Sequence, residues 1–170
     1  MAHTKRLPWN LILGLGIPAL VFGVILFSAI GFLLLRVYDS ERLHHAAARG
    51  DLAEVRDLLD REPWRLDKRN RGDMTPLHMA SYRDQGAVIK ELARHGADIN
   101  ARWNQVASDD GDWTALHIAA RRGKPEIVAA LLKVGADPNV RTRRGQTPQD
   151  IATESGHAAA SAVLRDHGGR

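Results

Sequence analysis

The segment Thr75-Pro76-Leu77-His78 recurs as Thr114-Ala115-Leu116-His117 and fades to Thr147-Pro148-Gln149-Asp150, at spacings of 39 and then 33 residues. A weaker copy, Arg42-Leu43-His44 running into Ala46-Ala47, lies about one such interval upstream. Self-similarity at a period near 33 residues is the signature of stacked helical units. One such unit cannot bury its own apolar faces, and only its neighbours in a stack do so. The recurrence therefore commits most of the chain to a one-dimensional scaffold and points to binding rather than catalysis.

The repeated residues carry a local physical logic. Thr75, Thr114 and Thr147 stand where an N-cap hydroxyl accepts a backbone N–H. Pro76 and Pro148 follow at the first helical position, where a missing N–H costs nothing. Leu77 and Ala80, like Leu116, Ala119 and Ala120, recur at helical spacing, and the alanines let two helices approach closely. Ile127, Val128, Leu131 and Leu132 give a second helix its apolar face, and Gly96 and Gly135 stand where a left-handed residue ends it. Each unit is thus predicted to be two antiparallel helices and a projecting loop.

The third copy, from Asp112 through Gly123 and on to Gly135-Ala136-Asp137-Pro138-Asn139-Val140, closely resembles the ankyrin repeat, and the second keeps Gly96-Ala97-Asp98-Ile99-Asn100-Ala101. The resemblance covers residues 40–168 and implies an all-α solenoid of about four units, at 40–71, 72–110, 111–144 and 145–168. It implies that His78 and His117 are structural, each hydrogen-bonding between adjacent loops, and not metal ligands. It also implies a partner-binding concave face made by the first helices and the loops, called fingers. By matching position, that face takes Tyr82, Arg83, Arg121 and Arg122 from the helices. The fingers add Lys68, Arg69, Arg71, Met74, Trp113, Arg141, Arg143 and Arg144. This set is mostly basic, so the expected partner is a protein with an acidic face.

The end units depart from the pattern, as units with one solvent-facing side should. The first lacks the Thr-Pro pair and carries Arg49, Asp51, Glu54, Arg56 and Asp57; the last puts Asp150 in place of the histidine and ends in Gly168-Gly169. A further departure is the six-residue excess between Thr75 and Thr114, placed in the stretch 101–113. Insertions in such arrays map to loops, and this one reads as an elongated finger with Trp103 or Trp113 as a contact anchor. The alternative is a surface insertion whose tryptophans pack on their own repeat. Asp109, Asp110 and Asp112 lack the alternating ligands and closing glutamate of a calcium loop and read as solvated acids.

Ahead of the repeats, Leu11–Leu35 contains no charged residue. As a helix these residues would extend about 37 Å, enough to cross a hydrocarbon core of about 30 Å. Trp9 and Tyr38 suit the two interfaces. A cleaved signal peptide would have a shorter apolar region and a small-x-small site, where Phe27-Ser28-Ala29 puts a bulky residue. The expected organisation is a tail at 1–10, a single transmembrane helix at 11–36, a linker at 37–39 and the repeats. Lys5 and Arg6, unopposed by acids, favour a cytoplasmic amino terminus, with the repeats periplasmic if the membrane is a bacterial inner membrane. Gly16, Ala19 and Gly23 share one helical face and would let two membrane helices approach closely as a homodimer.

Composition closes off other classes. There is no cysteine among the 170 residues, so disulfides, thiolate zinc sites and thiol nucleophiles are excluded. Setting aside Lys5, Arg6, Arg36 and Asp39 leaves 21 basic and 19 acidic residues. A near-neutral soluble part, without a basic run interleaved with aromatics, argues against nucleic acid. His44 and His45 are adjacent and point about 100° apart on a helix, a poor chelating pair. No hydrolase elbow, phosphate loop or zinc-protease pattern is present, so neither enzyme activity nor a cofactor is expected. The function expected is a membrane-anchored adaptor that holds a protein partner. An immunity or inhibitor protein and a structural subunit of a membrane complex are the alternatives.

Overall fold

The structure, a computed structural model, describes residues 41–104 and 111–169. The apolar segment 11–35, its linker and the Gly16-Ala19-Gly23 face lie outside the described residues. None of the described helices is long and apolar enough to cross a membrane. Residues from Glu41 onward form one compact unit.

That unit is all-α. Its helices are α1 (Arg42–Arg49), α2 (Leu52–Arg61), α3 (Pro76–Tyr82), α4 (Gly86–Arg94), α5 (Ala115–Arg121), α6 (Pro125–Lys133), α7 (Pro148–Glu154) and α8 (Ala158–Asp166), with a 3₁₀ turn at Pro63–Arg65. The odd-numbered helices stack on one another in one layer and the even-numbered helices in a second, each odd helix packing on the even helix that follows it. Helices of seven to ten residues are too short to persist alone in water, so packing holds them.

The core explains the alternation of small and large residues. Ala46, Ala47, Ala80, Ala119, Ala120 and Ala152 on the first helices are fully buried, allowing close approach. Val55, Val88, Ile89, Leu92, Val128, Leu131 and Leu164 fill the space from the second helices. The outer layer is also tied by charge. Arg56 donates to Glu91 at 3.0 Å, linking α2 and α4. That bond and a second from Arg94 hold the Glu91 carboxyl down at about 2.

Thr75, Thr114 and Thr147 do precede their helices in extended conformation. The Thr75 N–H donates to His78 Nδ1 (3.2 Å) and the Thr114 N–H to His117 Nδ1 (3.1 Å). An accepting Nδ1 fixes the neutral tautomer with its proton on Nε2. His78 Nε2 thus donates to the Trp113 carbonyl and His117 Nε2 to the Gln146 carbonyl, each at 3.3 Å, in the following finger. These are the inter-loop ties implied by the resemblance. His44 makes a third, to the Met74 carbonyl at 3.0 Å. Burial pushes His78 and His117 down to about 4 and lowers His44 as well. In the last unit Asp150 takes over the intra-unit half of the role, accepting the Thr147 N–H at 2.8 Å.

Candidate functional site

The fingers are short hairpins. Asn70 N–H donates to Met74 O (2.9 Å) and Thr142 N–H to Gln146 O (2.9 Å), each closing over four positions. The middle finger is closed instead by a reciprocal pair between Trp103 and Trp113, at 2.6 and 3.0 Å, over ten positions. In sequence the six-residue excess therefore falls between the two tryptophans, where 105–110 lie outside the described residues. The hairpin below the tip keeps the geometry of its neighbours.

The two tryptophans are framework and surface at once. Trp113 is 6% exposed, within the core cluster, with its ring centroid 6.0 Å from that of His117. Its buried Nε1–H has no hydrogen-bond acceptor among the described residues. Trp103 is half-buried and donates from Nε1 to the Gly72 carbonyl at 2.6 Å, tying its finger to the preceding one. Both also line a groove of about 660 Å³ between α3 and α5, with Met74, Met79, Tyr82, Arg83, Ile118, Arg121 and Arg122. Six of the twelve residues expected on the concave face, together with the anchor candidate Trp103, line this one cleft. Met79 and Ile118 went unnoticed in the sequence; both lie on the motif helices, one and two positions after histidine and leucine.

Every guanidinium in the groove stands over an aromatic ring. Arg122 lies 4.9 Å and Arg83 5.7 Å from the Tyr82 ring centre, and Arg121 lies 5.3 Å from that of Trp113. Tyr82 is 45% exposed, one of two large apolar side chains so open among the described residues; the other, Trp64, lies under Arg65 and Lys68 outside the groove. Arg122 is also fixed from behind, donating from Nε and Nη2 to the two oxygens of Asp84, each at 3.3 Å. Partial burial disfavours the Asp84 charge, and the bonds from Arg122 and Lys124 outweigh it, leaving the carboxyl below its ordinary value. Asp84 occupies the left-handed position that Gly50, Gly123 and Gly156 fill in the other units. Arg83 and Arg121 have no carboxylate partner among the described residues.

The third finger stands apart from the groove. Arg141 donates to the Gly145 carbonyl at 2.6 Å. Arg143 reaches the Asn104 side chain at 3.3 Å and lies against Gly111, so it braces the long finger from the next unit. Arg144 is exposed on that finger. Among the described residues no cluster of three or more His, Asp or Glu is arranged to hold a metal ion.

Stacked helix pairs with projecting fingers and a side cleft define a helical-repeat scaffold. Family models described as ankyrin repeats in many copies match residues 43–93 and 102–152. Together they span more than half of the chain, which belongs to the ankyrin-repeat family. Ankyrin repeats generally bind other proteins. A palmitoyltransferase AKR1 of Naumovozyma castellii is 42% identical over 35% of this chain and 8% of its own length. Ankyrin repeat domain-containing protein 49 of Bos taurus is 37% identical over 36% of this chain and 26% of its own. The serine/threonine-protein kinase VIK of Arabidopsis thaliana is 39% identical over 38% and 15%. The matches thus cover about a quarter or less of each relative.

Proposed function

We propose that this protein is a single-pass membrane protein whose ankyrin repeats hold a second, acidic-faced protein close to the bilayer, binding it in the α3–α5 groove. The observation that carries the reading is the groove's lining: three guanidiniums, three aromatic rings and no carboxylate among the described residues. Arginine, tyrosine and tryptophan are the residues that dominate binding energy when a partner desolvates them. The anchor half of the proposal rests on the uncharged Leu11–Leu35 segment and its interfacial Trp9 and Tyr38. A linker of three residues would keep the partner near the membrane surface. Lys5 and Arg6 favour a cytoplasmic amino terminus, with the repeats on the far side, periplasmic in a bacterium. The role proposed is binding rather than catalysis, in keeping with a groove whose described lining offers charge and ring faces.

Affinity purification from detergent-solubilised membranes tests this. The wild-type chain is expected to retain a partner at low salt and to lose it progressively as salt screens the guanidiniums. An Arg83→Glu/Arg121→Glu variant should lose it at once. A partner retained undiminished by that variant, or a chain that carbonate extracts from membranes, overturns the corresponding half of the proposal.

A further inference from the structure

The groove has more definition than an acidic partner requires. Its volume of about 660 Å³ falls within the roughly 300–1,000 Å³ of clefts that enclose a ligand. A flat basic surface would suffice to attract an acidic face. Besides the arginines and rings the lining is Met74, Met79 and Ile118, apolar side chains of which two are flexible thioethers that adapt to an aromatic guest.

We infer that this groove is a socket for a short acidic segment carrying one bulky apolar side chain, aromatic by preference. The side chain enters against Tyr82 and the methionines, and the flanking carboxylates pair with Arg83 and Arg121. This rests on the concave-face reading above and narrows it to a recognition motif. The charges are divided between two tasks. Arg122 is committed to Asp84 and forms a fixed wall against Tyr82. Arg83 and Arg121 have no carboxylate among the described residues. A guanidinium stacked on a ring keeps its edge open for a carboxylate. Asp84 keeps a positive φ of 61°, where other units have glycine. An aspartate there carries backbone strain, and the ion pairs it makes pre-set the Arg122 side of the socket.

The same arginines and rings would also suit a single-stranded nucleic acid, whose bases stack and whose phosphates pair. The apolar floor and the near balance of charge over the repeats favour the peptide.

The test uses the full chain in detergent micelles and fluorescence anisotropy with four probes. One peptide has a central phenylalanine flanked by two aspartates on each side; a second has alanine at the centre; a third has lysines at the flanks; the fourth probe is an oligothymidylate. The phenylalanine–aspartate peptide is expected to bind, and either change in the peptide to weaken it by about tenfold or more. Tyr82→Ala and Arg121→Glu should weaken it similarly, with unfolding midpoints unchanged, whereas Lys90→Glu on α4 should not. Equal binding of the alanine and phenylalanine peptides overturns the socket and leaves the acidic-face reading standing. Binding of no peptide, equal binding of the lysine peptide, or tighter binding of the oligonucleotide also overturns it.

Discussion

Acid should unfold these repeats well before carboxylates titrate, because the two inter-loop histidines must stay neutral. In the native state His78 and His117 titrate at about 4, against an ordinary 6.5, since burial disfavours the imidazolium and Nδ1 already accepts a backbone N–H. The unfolded chain therefore binds more protons than the folded one between about pH 6.5 and 4. The stability these residues confer is complete above 6.5 and falls as the pH drops through that window. At pH 5 each such histidine costs on the order of 2 kcal/mol, so the pair removes on the order of 4 kcal/mol, a large share of a typical domain's stability. His44, lowered in the same direction, adds to the loss. Glu91, held down at about 2 against an ordinary 4.5, loses its stabilising contribution mainly below pH 5 and so adds little between 7 and 5. Urea unfolding of the full chain in micelles, followed by tryptophan fluorescence at pH 7, 6 and 5, measures the effect. A His78→Gln/His117→Gln variant should be less stable at pH 7 and should lose distinctly less stability than the wild type between 7 and 5, the remainder being that of His44. Wild-type stability that differs by under about 0.5 kcal/mol over that range, or a full acid drop retained in the variant, refutes the reasoning.

Other consequences follow from single contacts. Trp113→Ala empties a core position and should cost about 3–5 kcal/mol in urea unfolding, whereas Trp103→Ala, losing a half-buried ring and the bond to Gly72, should cost about 1–3 kcal/mol. Asp84→Gly removes left-handed strain along with partly exposed ion pairs, so stability should change by less than about 1 kcal/mol, while partner affinity in a titration should fall as Arg122 loosens. Gly123→Ala would place a methyl group 2.4 Å from the His157 ring at a φ of +63°, whereas Gly156→Ala at +75° meets no atom within 4 Å. The first should lower the unfolding free energy distinctly more, by roughly 2 kcal/mol or above against about 1 kcal/mol for the second.

The framework was legible in the sequence because its logic is local. A threonine three positions before a histidine, a proline after it and a glycine closing the second helix each act within one turn of chain. The same locality placed Tyr82, Arg83, Arg121 and Arg122 on one face, since one position in a repeat maps to one position in space. What the sequence left open depends on contacts between units. Asp84 and Arg122 are 38 residues apart, and a positive-φ aspartate has no pattern of its own until its turn is compared with three glycine turns. Trp103 and Trp113 read either as finger contacts or as packing. In the structure they pack and close the hairpin, and their remaining surface lines the groove; whether a partner touches it belongs to the proposal. Arg141 and Arg143 share the sign of the groove arginines, yet each also directs a guanidinium N–H to a neighbouring loop, at Gly145 and Asn104, which charge alone does not reveal.

The central claim is that a protein partner occupies the α3–α5 groove. Site-specific photo-crosslinking in intact cells tests it most directly, with the crosslinking residue placed at Tyr82 in the groove and, separately, at exposed Lys90 on the outer helix α4. The account predicts a discrete adduct from position 82 that disappears when Arg83 and Arg121 are reversed to glutamate, and none from position 90. An adduct from position 90 with none from position 82, or one from 82 that survives the reversal, would contradict it.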